Sequence, residues 1–102
     1  MKHFLITYRV KSGLEDQRQQ EIRTFIAALE ADPDLRGKIT YQTMKARASS
    51  DYYHLATAAD DEAVKALQSR DFFTHYTEQT DRAADGEVTV TPLEVVAETV
   101  TA

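Results

Sequence analysis

From His3 to Val10 the chain alternates, with Phe4, Ile6, Tyr8 and Val10 on one side and His3, Leu5, Thr7 and Arg9 on the other. A period of two in β-branched and aromatic residues predicts a strand with its apolar face on a core and its mixed face in a wetter place. The period then lengthens. Leu14, Ile22, Phe25, Ile26 and Leu29 recur at helical spacing among Glu, Gln and Arg residues. Ser12-Gly13-Leu14-Glu15 predicts a capping box at the start of this helix. Asp32-Pro33 predicts its end, because proline disfavours helical geometry in the residue before it. Ile39 to Lys45 alternates again, the polar run Arg47 to Asp51 reads as a hairpin connection, and Tyr52 to Ala58 reads as a third strand. Asp60 or Asp61 is placed to cap a second helix carrying Ala63, Val64 and Leu67. A break at Ser69-Arg70-Asp71 leads to a helical continuation with Phe72, Phe73 and Tyr76, fading near Gly86. Val88 to about Val100 reads as a long last strand, with Pro92 marking a bulge or an edge.

The order strand, helix, strand, strand, helix, strand predicts an α+β fold, the ferredoxin-like β-α-β-β-α-β sandwich. In it a four-stranded antiparallel sheet carries its helices on one face. Two helices cover one face of such a sheet. With Phe4, Ile6 and Tyr8 beneath them, Leu5 and Thr7 lie on the open face, joined by Leu93, Val95 and Ala97 or by Pro92, Glu94 and Val96. An open face of this kind predicts a homodimer about a two-fold axis, the tail Val95 to Val100 extending the partner's sheet.

Length and charge narrow the classes. The 102 residues fit one domain, residues 1–102, able to bury about two-thirds of the surface its unfolded chain exposes. With no cysteine, disulfides, iron–sulfur clusters and thiolate zinc sites are excluded, and a reducing compartment fits. A net charge of -5 argues against nucleic acid, and Lys38, Lys45 and Arg47 on the hairpin read as a solvated edge. The N-terminal apolar run is too short for a signal peptide, and no stretch reaches the roughly 20 apolar residues that span a bilayer. The expectation is a soluble, cytoplasmic protein with no membrane partner.

Three histidines are the side chains that titrate near neutrality when unperturbed. His54 falls mid-strand, where an imidazole either finds hydrogen-bond partners within the sheet or an interface, or lines a cavity as a base. His75 lies beside the aromatic run and is either a second catalytic candidate or a surface helix residue. His3 opens a strand and reads as incidental. Phe72, Phe73 and Tyr76 form a helical stripe that is either plain core or, with Tyr8 and Tyr41, the wall of a cavity for a flat aromatic ligand. No glycine-rich phosphate loop follows a strand, the histidines show no metal-ligand spacing, and no nucleophile elbow is present.

Four segments resemble the antibiotic-biosynthesis-monooxygenase group of the dimeric α+β barrel superfamily. They are Tyr8-Arg9-Val10-Lys11-Ser12-Gly13, Tyr53 to Thr57 leading into Asp60-Asp61-Glu62-Ala63, Leu67 to Tyr76, and Val88 to Val96. The resemblance covers nearly the whole chain and implies a small dimer with a pocket between sheet and helices. Some members of that group oxidise polyphenols with molecular oxygen and no bound cofactor; relatives degrade haem. The Asn, Trp and His of the haem-degrading relatives fall on Ile6, Ala66 and Tyr76, which disfavours haem. The Ser/Thr-Pro-His segment of quinol-oxidising relatives appears as Ser69-Arg70-Asp71-Phe72, without its Pro and His. The expected function is that of a cofactor-independent monooxygenase acting on a small aromatic or quinol. His54 and His75 are its catalytic candidates, and Tyr8, Tyr41, Phe72 and Tyr76 its substrate-binding residues. The alternative is a non-catalytic dimer of the same fold that binds a small molecule or serves a stress role.

Overall fold

The computed structural model describes residues 1–100. In chain order the elements are β1 (Lys2–Arg9), α1 (Glu15–Ala31), β2 (Ile39–Lys45), β3 (Asp51–Ala58), α2 (Asp61–Gln68), α3 (Asp71–Ala83) and β4 (Thr89–Leu93). The strands form one antiparallel sheet in the order β2-β3-β1-β4, with the helices on one side: the ferredoxin-like α+β fold. The register is one-to-one, with Ile6 opposite His54 on β3 and opposite Val90 on β4. That register sets the side-chain parity of every strand. Phe4, Ile6, Tyr8, Tyr52, His54, Tyr41 and Val90 share the covered face, while Leu5, Thr7, Tyr53, Leu55 and Leu93 share the open one. Leu93, rather than Pro92, therefore joins Leu5 and Thr7. The core forms where Tyr8, Val10, Tyr52 and Ile39 meet Ile22, Phe25, Leu29 and Tyr76 from the helices.

Two local expectations, the capping box and the length of the last strand, are corrected. The helix α1 opens without the Ser12–Glu15 capping box: Leu14 occupies the cap position and no side chain caps it. Residues 11–14 instead close a turn, with the Leu14 amide donating to the Lys11 carbonyl at 3.1 Å. Gly13 at φ 85 supplies the left-handed position that such a turn needs. Ser12 is thus spent on the turn, one step before the helix. Glu15 and Asp16 still favour the helix start through the macrodipole.

The second helical region is two helices, α2 and α3, hinged at Ser69-Arg70. Asp60 is the cap of α2, accepting from the Ala63 amide at 2.8 Å. Arg70 ties this hinge to the end of α1, with Nε 2.7 Å from Asp32 and Nη2 3.0 Å from Asp34.

The last strand is short. It ends at Leu93, and residues 94–100 are exposed and carry no strand pairing. β1 starts at Lys2 and pairs His3 with Leu93, so a longer β4 has no strand of this chain beside it. Pro92 sits opposite Phe4 with no bulge, on the edge strand where a missing N–H is tolerated.

Candidate functional site

Between the sheet and α2–α3 lies an apolar cavity of about 440 Å³. Phe4, Ile6, Ala56 and Val90 form its floor, and Val64, Leu67 and Phe73 its helical wall. At its inner end the apolar lining gives way to Tyr41, His54 and Tyr76. Each of these three comes from a different element. Tyr41 and His54 stand on β2 and β3 at positions facing the helices; Tyr76 points back at them from α3, one turn beyond Phe72 and Phe73.

The polar groups form one continuous chain. The Arg18 Nε–H donates to the Tyr8 hydroxyl at 2.8 Å, and that hydroxyl is 2.8 Å from His54 Nε2. On the other side of the ring, Nδ1 bonds the Tyr41 hydroxyl, with the Tyr76 hydroxyl 3.3 Å away. The two tyrosine hydroxyls are 2.9 Å from each other. Arg18 also donates to Thr80 Oγ1 at 2.6 Å and to Glu21 at 3.3 Å, and its guanidinium sits 4.6 Å from the centroid of the Tyr76 ring. The opposite support of Tyr76 is Phe25, stacked at 3.9 Å with rings nearly parallel. Arg18 and His54 are 0% and 1% exposed, so neither draws on bulk water for hydrogen bonds.

Burial governs the protonation states. His54 is pushed down to about 3, first by burial and then by the Arg18 charge, so the imidazole is neutral at physiological pH. Burial raises Tyr8, with Arg18 offsetting part of the effect. Burial raises Tyr41 and Tyr76 as well, and all three phenols keep their protons. Burial opposes the charge on Arg18, but Tyr76, Tyr8 and Glu21 more than offset it, and the guanidinium stays protonated. The site is therefore a neutral Tyr–His–Tyr–Tyr chain with a fixed cation at its far end. Such an arrangement stabilises negative charge on a group bound in the cavity.

Of the residues singled out in the sequence, Tyr8, Tyr41, His54 and Tyr76 are brought together. His75 is not; it lies on the exposed side of α3, away from the cavity. Phe72 packs against Phe25 at 5.9 Å outside the cavity lining, and its neighbour Phe73 lines the cavity instead. Sequence reasoning missed Arg18. Its signal was present: Arg18 lies four residues after Leu14 and four before Ile22, a cation in the middle of the apolar stripe of α1. Among the described residues, no group of three or more His, Asp or Glu is arranged to hold a metal ion.

A four-stranded antiparallel sheet, helices on one face and a cavity between the two layers define a ferredoxin-like α+β protein with an interlayer pocket. No protein-family model matches the sequence, and neither does any curated protein. Solved structures do match. An antibiotic biosynthesis monooxygenase aligns over 95% of this chain and 100% of its own, with a TM-score of 0.80 and 13% identity. A Mycobacterium tuberculosis protein covers 97% and 98%, with a TM-score of 0.79 and 11% identity. A Caulobacter crescentus protein, described as a candidate antibiotic biosynthesis monooxygenase, covers 94% and 90%, with a TM-score of 0.80 and 17% identity. The likeness at this identity is one of fold, and the first and third of these neighbours carry the family name to which the sequence resemblance pointed. Among the described residues, no helix is long and apolar enough to cross a membrane.

Proposed function

We propose that this protein belongs functionally with the antibiotic biosynthesis monooxygenases and acts on a small hydroxylated aromatic, with no bound cofactor. One observation carries this reading: an apolar cavity of about 440 Å³ ends in a Tyr41–His54–Tyr76 cluster backed by the buried Arg18 cation. The apolar walls suit a flat ring, and the inner cluster suits its oxygen substituent. The reaction needs little from the protein beyond binding, orientation and charge stabilisation. An ionised quinol, a ring with a second electron-donating hydroxyl, is electron-rich enough to react with oxygen directly. Quinol plus oxygen then gives hydroxyquinone plus water, one oxygen atom entering the ring and the other leaving as water, with all four electrons drawn from the substrate. The role of His54 changes from the one its sequence position suggested. With both ring nitrogens engaged and its basicity suppressed to about 3, it conducts polarisation between Tyr8 and Tyr41 instead of acting as the terminal base.

The same low basicity favours a second reading, in which the cavity binds such a molecule without turning it over. Oxygen consumption with a panel of mono- and dihydroxylated aromatics separates the two. Uptake that saturates with one class and falls when Tyr76 is changed to Phe supports the enzyme. Tight binding with no uptake across the panel favours the binding protein.

We further propose a homodimer through the open sheet face. Tyr53, Met44 and Leu93 are 39%, 46% and 39% exposed there, and Val95 and Val96 in the following tail are 54% and 98% exposed. Sedimentation over a dilution series tests this, a stable dimer being the expected species.

A further inference from the structure

Hydrogen-bond accounting within the buried chain gives it a direction. The Tyr8 oxygen already accepts from Arg18 Nε–H at 2.8 Å, and its second polar neighbour is His54 Nε2 at 2.8 Å. If Nε2 carried the imidazole proton, Tyr8 would receive two donors and its own proton would have no acceptor. Tyr8 is 5% exposed, and an orphaned hydroxyl proton there is costly. The satisfied arrangement has Tyr8 donating to Nε2 and the imidazole proton on Nδ1. That proton points at Tyr41 and Tyr76, which are also bonded to each other. Two phenolic oxygens now accept one imidazole proton and exchange one of their own. The second phenolic proton has no protein acceptor among the described residues, and both phenols line the cavity.

We propose that Arg18 is a positioning residue that orients this chain so that a phenolic proton of the Tyr41–Tyr76 pair points into the cavity and selects ligands bound as phenolate or enolate anions. This rests on the aromatic pocket proposed above and goes beyond it by fixing the ionisation state of what the pocket holds. The cation, the aligned donors and the dry surroundings all favour an oxyanion over a neutral hydroxyl at the same place. Glu21, 3.3 Å from Arg18 Nη1 and outside the cavity lining, offsets part of the cation and also bears on Tyr76, but Arg18 bonds the chain directly through Tyr8. Asp81, the one carboxylate along the cavity wall, is exposed, and solvent screens it.

The test uses para-nitrophenol, whose ionisation is read from its colour, against its methyl ether, para-nitroanisole, which matches its shape and cannot ionise. On the wild-type protein the phenol is expected to bind about tenfold or more tighter than the ether, and its bound pKa to fall by about one unit or more. Tyr8→Phe keeps the Arg18 charge and cuts the chain; Arg18→Met removes the charge. Each is expected to return the bound pKa towards that of the free probe, while His75→Ala leaves it unchanged. A merely structural Arg18 would alter melting but leave the bound pKa where it was. If phenol and ether bind equally and the phenol titrates as it does in water, the inference is overturned and the aromatic pocket stands. Should neither probe bind, the pocket reading falls and takes the inference with it. Tyr8→Phe leaves Arg18 in place, so either variant alone traces the shift to the chain if the other fails to fold.

Discussion

The two faces of the sheet are built from the same strands and similar residue types, yet they solve opposite problems. On the covered face, Tyr8, Tyr41 and His54 are withdrawn from water, and every polar atom in the chain from Arg18 to Tyr76 has a partner, with one phenolic proton left over for the cavity. On the open face, Tyr53 and Leu93 are each 39% exposed, and His3 bonds Thr57 at 3.1 Å in a partly wet setting. A tyrosine on the open face is spare contact area. A tyrosine on the covered face is one link in a chain, and losing any link strands its neighbours. The difference teaches that burial, more than residue type, makes the polar groups of this fold consequential.

Breaking the covered face should cost most. Arg18→Ala removes partners from Tyr8, Thr80 and Glu21 together and leaves a void, and urea unfolding should register a loss of about 3–5 kcal/mol. Acid attacks the same face more gently. His54 is held at about 3 in the folded protein against 6.5 when unperturbed, so between those values the unfolded chain binds the extra proton. Its contribution is fully present above pH 6.5 and drains away as pH falls. Lowering the pH from about 7 to about 4.5 should cost about 2–3 kcal/mol through this group, and His54→Gln should flatten that slope in parallel urea titrations.

The open face should respond differently. Tyr53→Asp places a charge on the expected interface, and sedimentation should report a tenfold or greater weakening of self-association. The stability of the isolated subunit should move by less than about 1 kcal/mol. Smallest of all is His75→Ala on the exposed side of α3, where melting should stay within about 0.5 kcal/mol of wild type.

Much of the covered face could be read from the chain. Alternation in β1 put Phe4, Ile6 and Tyr8 together, the aromatic pattern drew attention to Tyr41 and Tyr76, and an imidazole in mid-strand drew it to His54. Arg18 escaped because a lone cation on an apolar stripe is ordinarily passed over as noise, and its partners lie on β1 and α3, distant in sequence. Phe72 and Phe73 were both on the candidate stripe; adjacent helical residues differ by about 100° in direction, and only the docking of α3 decides which meets the cavity. The length of β4 was illegible for a related reason. Its residues favour strand everywhere, but β1 gives them a partner only as far as Leu93. Ser12 was misjudged because the same Ser-Gly pair serves a turn as readily as a cap, and Gly13 took the left-handed position.

The central claim is that His54 is a neutral relay whose proton sits on Nδ1, held there by Tyr8 and ultimately by Arg18. Nitrogen NMR of the imidazole ring in isotopically labelled protein reads both the charge and the tautomer. The account predicts a neutral ring, protonated at Nδ1 and bare at Nε2, unchanged from neutral pH down to about pH 4. A ring that is cationic near neutrality, or neutral with its proton on Nε2, would contradict it.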